Sequence, residues 1–286
     1  MRASTKLREL IAADGIITAP GCYDGLSARL IENAGFPAVY VSGGATARST
    51  GVPDMGLISP SEVAARLTQI VDAIRIPVIA DMDTGFGNAL NARQAIRAFE
   101  RAGVAGFHIE DQTFPKRCGH YDDKSIVPTL EFCQKIRAIR DASEDNDTVI
   151  VARTDAIAVE GFDAAIDRMH QYMDAGADVA FVEAPTTEAE IEEIAKRIPG
   201  PKLINMFLGA KTPLLSTQRL AEIGYKIVII PSDTQRAAIK AMQRVLETIR
   251  RDGHSAAMAD DMASFQDREA IVNTESFMEI DRRYAS

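Results

Sequence analysis

The sequence predicts an α/β chain of the (β/α)8 TIM-barrel class, with a helical extension after the last barrel strand. Three observations carry that expectation. Short Val- and Ile-rich runs recur eight times, each followed by a turn and a segment of helical period. The runs are apolar throughout rather than alternating, as parallel strands covered on both faces require. Eight such units fit in about 230 residues, the size of a closed barrel. A doubly wound open sheet is the alternative, but it calls for a glycine-rich first turn, and GxGxxG is absent.

In chain order the predicted strands are IITAP (16–20), AVYVSG (38–43), PVIADMD (77–83), GFHIED (106–111), TVIVART (148–154), VAFVEA (179–184), KLINMF (202–207) and KIVIIP (226–231). Segments of helical period lie between them, among them SEVAARLTQIVDAI, NARQAIRAFERAG and DAAIDRMHQYMDAG, several closing on Ala-Gly as a helix C-cap does. Strands start apolar and end polar, at Ser42, Asp81 and Asp83, Glu110 and Asp111, Arg153 and Asp155, Glu183, Asn205 and Ser232. In a barrel those ends converge on one rim, where active sites sit. The chain reads as a single domain over 1–286, with the barrel in 1–231 and a helical tail in 232–286. The tail is too long for one closing helix and is expected to pack on a partner subunit.

Composition narrows the class. Apolar residues make up 46% and charged residues 26% of the 286, ordinary for a globular protein. A net charge of −9 argues against nucleic acid or an anionic membrane as partner, since both demand a basic surface. The opening MRASTKLRELIAADG lacks an apolar signal core, and no run approaches the roughly 18 apolar residues of a spanning helix. Cys22, Cys118 and Cys133 are irregularly spaced and fit neither a disulfide framework nor a zinc site. The expectation is a reduced, cytoplasmic, acidic protein of enzyme size; a small anionic substrate is compatible with the net charge, because local Lys and Arg can dominate a pocket.

The rim residues suggest the chemistry. Asp81 and Asp83, two apart, point to one side if the strand stays extended, and paired carboxylates need a cation or a shared proton. With Glu110 they form a hard oxygen set suited to Mg²⁺, with Mn²⁺ as the alternative. A solvated or capping Asp pair is the other reading. Arg153 can clamp a carboxylate with Glu183 holding its orientation, or the two can form a structural ion pair. Lys202 and Lys226 fall at strand starts, which disfavours Schiff-base chemistry. After the fourth strand comes FPKRCGHYDDK, where Lys116, Arg117 and His120 surround Cys118 and favour its thiolate. Beside the rim, a Gly-containing connection over 112–124 reads as a catalytic lid, whereas Cys133 reads as core filling.

SGG (42–44), DMDTGFG (81–87), HIEDQ (108–112), KRCGH (116–120) and ARTDA (152–156), in that order, make the chain similar to the isocitrate lyase/phosphoenolpyruvate mutase superfamily. The pattern most resembles the branch of methylisocitrate and 2,3-dimethylmalate lyases, over roughly residues 5–275. The resemblance implies a barrel with its last helix exchanged in a homodimer, usually assembled into a homotetramer. It implies Mg²⁺ held by Asp81 and Asp83, with Glu110 and Asp54 in the surrounding shell. Ser42, Gly43 and Gly44, with Tyr40 nearby, match the loop for the keto-acid end. Arg153, Glu183 and Asn205 match substrate contacts, and Arg236 and Arg268 match arginines for further carboxylates. Cys118 matches the catalytic acid/base, with Lys116, Gly119 and His120 beside it.

The implied reaction is that of an oxo-acid lyase. It splits a 2-hydroxy di- or tricarboxylate into an α-keto acid such as pyruvate and a succinate- or propionate-type carboxylate, with the thiol protonating the enolate-like intermediate. One departure bears on the substrate. Where lyases of this branch have Asn-Ile-Thr-Glu or Asn-Met-x-Glu-Gly-Gly, this chain has NMFLGAKTP. An apolar wall at Phe207 and Leu208 favours an alkyl-substituted malate over 2-methylisocitrate, while Arg236 and Arg268 favour more carboxylates. Oxaloacetate hydrolysis or decarboxylation on the same site is the rival; phosphonopyruvate chemistry is disfavoured by the Cys-Gly-His segment.

Overall fold

A computed structural model describes residues 1–116 and 124–285. Cys118, Gly119 and His120 lie outside the described residues. Eight parallel strands, β1 (Ile17–Cys22), β2 (Val39–Val41), β3 (Val78–Asp81), β4 (Gly106–Glu110), β5 (Val149–Thr154), β6 (Val179–Val182), β7 (Lys202–Asn205) and β8 (Ile227–Ile230), pair in sequential order and close β8 onto β1. The predicted (β/α)8 barrel is the observed one.

Two apolar layers explain why the strands read as continuous runs. Ile17, Ile79, Val151, Phe181, Leu203 and Ile229 point into the barrel, joined by Leu7 from the helix Ala3–Ala12. Their neighbours, among them Val78, Phe107, Ile150, Ala180 and Val228, point outward against the helices. Going up each strand, the inward series changes from apolar to polar: Ile79 to Asp81, Val151 to Arg153, Phe181 to Glu183, and Leu203 to Asn205, while on β4 it is already polar at His108 below Glu110. Parallel register sets Asp81 beside His108 and Glu110 beside Arg153, so the polar tops gather at one end of the barrel.

Local signals place the helices. Ser59 and Glu62 form a capping box, with Pro60 opening the helix Pro60–Ala73. Asn88 caps Ala89–Ala102, which ends on Gly103 at φ 86°. Lys202 donates to the carbonyls of Ile198 and Gly200 at the barrel's N-terminal end, and Lys226 to those of Ala13 and Gly15. Both lie on the face opposite the rim. Cys22 and Cys133 are free and buried in the outer layer, where burial pushes both thiols up. None of the described helices is long and apolar enough to cross a membrane.

One expectation about β3 needs correction. The strand ends at Asp81, and Asp83 is in the left-handed region at φ 47°. Extended alternation therefore does not align the two carboxylates. A turn does so, with the Asp83 N–H donating to Asp81 Oδ1 at 2.9 Å. Asp83 tolerates this backbone because Asp is among the few side chains that enter that region readily.

After β8, the helix Asp233–Asp252 leads through a 3₁₀ turn (Ala256–Asp261) to Phe265–Val272 and Thr274–Tyr284. Ile239, Met242, Leu246 and Ile249 are spaced to form one stripe on the first of these helices, and all are exposed.

At Gly21, where β1 meets the chain leaving β8, a Cβ would lie 2.2 Å from the Pro231 carbonyl oxygen. Backbone cannot yield as a side chain can, so Gly21→Ala should cost about 2–3 kcal/mol in denaturant unfolding. A loss under ~0.5 kcal/mol would show that the barrel closure relaxes freely there.

Candidate active site

The strand ends ring a cavity of about 510 Å³. Its first wall is built around Asp81. Asp81 Oδ2 accepts the Gly43 N–H at 3.1 Å and lies 3.4 Å from the Tyr40 hydroxyl. Gly43 opens the short helix Gly43–Ser49, capped by Ser42 through the Ala45 N–H. A Cβ on Gly43 would sit 2.6 Å from Asp81 Oδ2, so only glycine lets this backbone reach the carboxylate. Below them, fully buried His108 places Nε2 2.6 Å from the Tyr40 hydroxyl and 3.3 Å from Asp81 Oδ1, and its Nδ1 has no partner among the described residues. Burial works against the Asp81 carboxylate, but His108 and Lys116 hold it ionised well below the usual range. Burial, then Asp81, pushes the Tyr40 phenol well above its ordinary value, so it stands as a neutral hydroxyl.

Lys116 enters from the segment after β4. Its Nζ lies 2.5 Å from Asp54 Oδ1 and 2.9 Å from Asp83 Oδ1, with the side chain nearly buried. Burial disfavours the ammonium, but Asp83, Asp81 and Asp54 together hold the proton well above the usual lysine range. This lysine is a fixed cation, unsuited to forming a Schiff base. Burial pushes Asp83 up to about 6 despite Lys116.

Arg153, on β5, forms the adjoining wall, with β4 between it and Asp81. Its Nε and Nη2 fork onto Asp155 at 2.9 and 3.2 Å, Nε lies 3.3 Å from Glu110 Oε2, and Nη2 lies 3.6 Å from Glu183 Oε1. The guanidinium carbon sits 5.2 Å from the centre of the Phe181 ring. Burial pushes Glu110 well above the ordinary carboxyl range even against Arg153. Glu110 Oε1, Glu183 Oε2 and Asn205 Oδ1 are buried without hydrogen-bond partners among the described residues.

Sequence reasoning named Asp111 and Asp155 as strand-end residues but missed the layer they form behind this wall. Lys124 pairs with Asp155 at 2.8 Å. Asp111 accepts from Thr154 at 2.7 Å, from Tyr172 at 2.8 Å and from the Asp155 N–H at 2.9 Å. His108 could have been found from its two-residue spacing to Glu110, and Asp155 from the same spacing to Arg153. Lys124 and Tyr172 carry no such signal, because they arrive from other elements.

Comparison with known proteins places this chain in a family. The phosphoenolpyruvate phosphomutase family model matches residues 7–250. The chain belongs to the phosphoenolpyruvate mutase/isocitrate lyase superfamily. It is 40% identical over 287 residues to 2,3-dimethylmalate lyase of Eubacterium barkeri, covering 100% of this chain and 99% of the relative. To 2-methylisocitrate lyase of Bacillus subtilis it is 42% identical over 272 residues, covering 95% and 89%. The crystal structure of a phosphonopyruvate hydrolase complexed with oxalate and Mg²⁺ superposes with a TM-score of 0.91 at 31% identity, covering 99% of both chains.

The superfamily implies a divalent cation, and the donor set fits one. Among the described residues, six carboxylates (Asp54, Asp81, Asp83, Glu110, Asp155 and Glu183) gather with the cations of Lys116, Lys124 and Arg153, and Arg48 and Arg236 also line the cavity. Glu110 keeps a buried oxygen without a partner among the described residues. No group of three or more His, Cys, Asp or Glu among the described residues forms a ready cage. Mg²⁺ does not need one, since it takes one or two carboxylates and keeps several waters.

The expected superfamily positions are largely assembled. Tyr40, Ser42, Gly44, Asp54, Asp81, Glu110, Lys116, Arg153, Glu183, Asn205 and Arg236 line the cavity, and Gly43 and Asp83 lie against them. Arg236 donates to the Leu208 carbonyl and to Asp233. Phe207 lines the cavity, but Leu208 does not; it is 63% exposed, so the predicted apolar wall contains only the first of the pair. Arg268 stacks on Phe265, away from its own chain's cavity lining.

A carboxyl whose folded pKa is about 6 lies above its unfolded value of about 3.9. The native state then holds more protons between those values, and stability falls as pH rises through that window. In divalent-free buffer, wild type should lose stability relative to Asp83→Asn between about pH 4 and 6. Parallel urea midpoints across that range would contradict the burial argument for Asp83.

Proposed function

We propose that this protein is a divalent-cation-dependent oxo-acid lyase. It cleaves the C2–C3 bond of a 2-hydroxy dicarboxylate to an α-keto acid and a second carboxylate, with Mg²⁺ as the cation. The observation that carries this reading is a pair of adjoining walls on one rim. A carboxylate set centred on Asp81 and Asp83, at the end of β3, is separated by one strand, β4, from a guanidinium on β5 held between Glu110, Asp155 and Glu183. Asp81 and Asp83 would hold the ion, with Glu110 and Asp54 around it. When bound, the ion supplies polarisation of the keto-acid oxygens.

This chain's own residues account for the rest. Ser42 and the backbone at Gly43 and Gly44 orient the keto-acid end. Arg153 and Asn205 bind the second carboxylate and spread its charge as C3 becomes enolate-like. The hydroxyl proton leaves O2 for solvent, the C2–C3 electron pair goes to C3, and the Cys118 thiol gives C3 its proton and regains one from solvent before the next turnover, with Lys116 and His120 flanking it in sequence. The buried Tyr40–His108 pair holds a hydroxyl directed at Asp81. Phe207 in the wall favours an alkyl-substituted malate of the 2,3-dimethylmalate type. A polar arm there would lose hydrogen bonds it has in water.

The tail supports a second proposal, that the chain assembles as a homodimer or homotetramer through the helices after β8. Met242, Leu246, Phe265 and Phe277 are 56–69% exposed. Leaving so many large apolar side chains in water is costly, and an interface removes that cost. Leu246→Glu with Phe277→Glu should lower the mass in light scattering to that of a monomer; an unchanged mass would refute this.

The lyase reading is checked with Mg²⁺ and a panel of 2,3-dimethylmalate, 2-methylisocitrate, isocitrate, citramalate and oxaloacetate. Pyruvate should appear from a methylated acid, vanish on chelation, and fall by about 10²–10⁴ in Cys118→Ser. Oxalate with acetate from oxaloacetate, and no pyruvate from the others, would replace the lyase with a hydrolase.

A further inference from the structure

Arg153 touches three carboxylates, and one of them is itself shared. Asp155 Oδ2 accepts from Arg153 Nε, while Oδ1 accepts both Arg153 Nη2 and Lys124 Nζ. Asp155 and Lys124 are at most 1% exposed at their side chains, and neither lines the cavity. The Asp155 backbone is fixed too, through its N–H to Asp111. None of the described hydrogen bonds or ion pairs uses Arg153 Nη1, while the side chain lines the cavity.

The electrostatics give this sharing a role. A buried carboxylate with a single guanidinium partner would neutralise it and weaken its pull on an incoming anion. A second buried ammonium on the same carboxylate shares its negative charge, so Asp155 answers less of the Arg153 charge than it would alone. It also holds Oδ1 where the fork to Nη2 needs it. Burial alone would push the Asp155 carboxyl up, yet Arg153 and then Lys124 hold it down at about 2, so it remains ionised at any working pH.

We propose that Lys124 is a positioning residue for Arg153: acting through Asp155, it fixes the guanidinium and keeps its charge available to a substrate carboxylate that Lys124 never touches. This rests on the reading above that Arg153 receives a carboxylate. It adds a determinant of anion affinity from outside the cavity, on the segment that follows residues 117–123 in the chain.

The probe is 2,3-dimethylsuccinate, the proposed substrate type without its hydroxyl, whose second carboxylate reaches Arg153 on the reading above, titrated calorimetrically with Mg²⁺ present. Lys124→Met should weaken it about tenfold, and Lys124→Arg should restore most of the loss, since it keeps a buried cation on Asp155. In an Arg153→Lys background, where the fork is already gone, Lys124→Met should have little further effect. Independent, multiplying effects would overturn the proposal, as would a Lys124→Met crystal structure in which Arg153 still forks onto Asp155 unchanged. Failure of the wild type to bind 2,3-dimethylsuccinate would count instead against the reading of the cavity, and the crystal structure would still decide the role of Lys124.

Discussion

The constraint on which this molecule turns is a cluster of buried carboxylates at one end of a closed barrel. Parallel register and two-residue alternation send Asp81, Glu110 and Glu183 inward at the top of their strands, where the walls exclude most water. Buried like charges are tolerated only with cations among them. Lys116, Arg153 and Lys124 are drawn in for that reason, each into contact with at least one carboxylate. Glu110 and Glu183 still keep buried oxygens without a partner among the described residues, and the divalent ion proposed above would add positive charge beside them.

The two walls solve the problem differently. Around Asp81 and Asp83 the compensation is soft: a lysine ammonium, backbone N–H groups and a carboxyl raised by burial to about 6. Such a wall can exchange its partners. Around Arg153 the compensation is rigid, a fork to Asp155 backed by Lys124 and by the Asp111 hydrogen bonds to Thr154 and Tyr172. An exchangeable wall beside a fixed one suits a reaction in which one substrate end binds a cation and the other must not move.

Much of this was legible in the residues. The strand ends Asp81, Glu110, Arg153, Glu183 and Asn205 stand out as polar residues closing apolar runs, because a barrel rim is the only place such residues can gather. The route by which Asp83 joins Asp81 was misread. Its left-handed backbone is a property of the turn, and nothing in DMDTGFG announces where the strand stops. Leu208 was misplaced for a similar reason, since adjacent residues in an irregular loop need not face the same way.

By itself the sequence determined the barrel, the rim and the identity of the groups on it, because strand periodicity and the apolar-to-polar change along each strand are local patterns. It left undecided which charge answers which. Lys116 bridging Asp54 and Asp83, His108 beneath Tyr40, and Lys124 behind Asp155 join residues from different elements. Those pairings were decided only when the barrel closed, because the strength of an ion pair depends on distance and burial, and neither is a property of chain order.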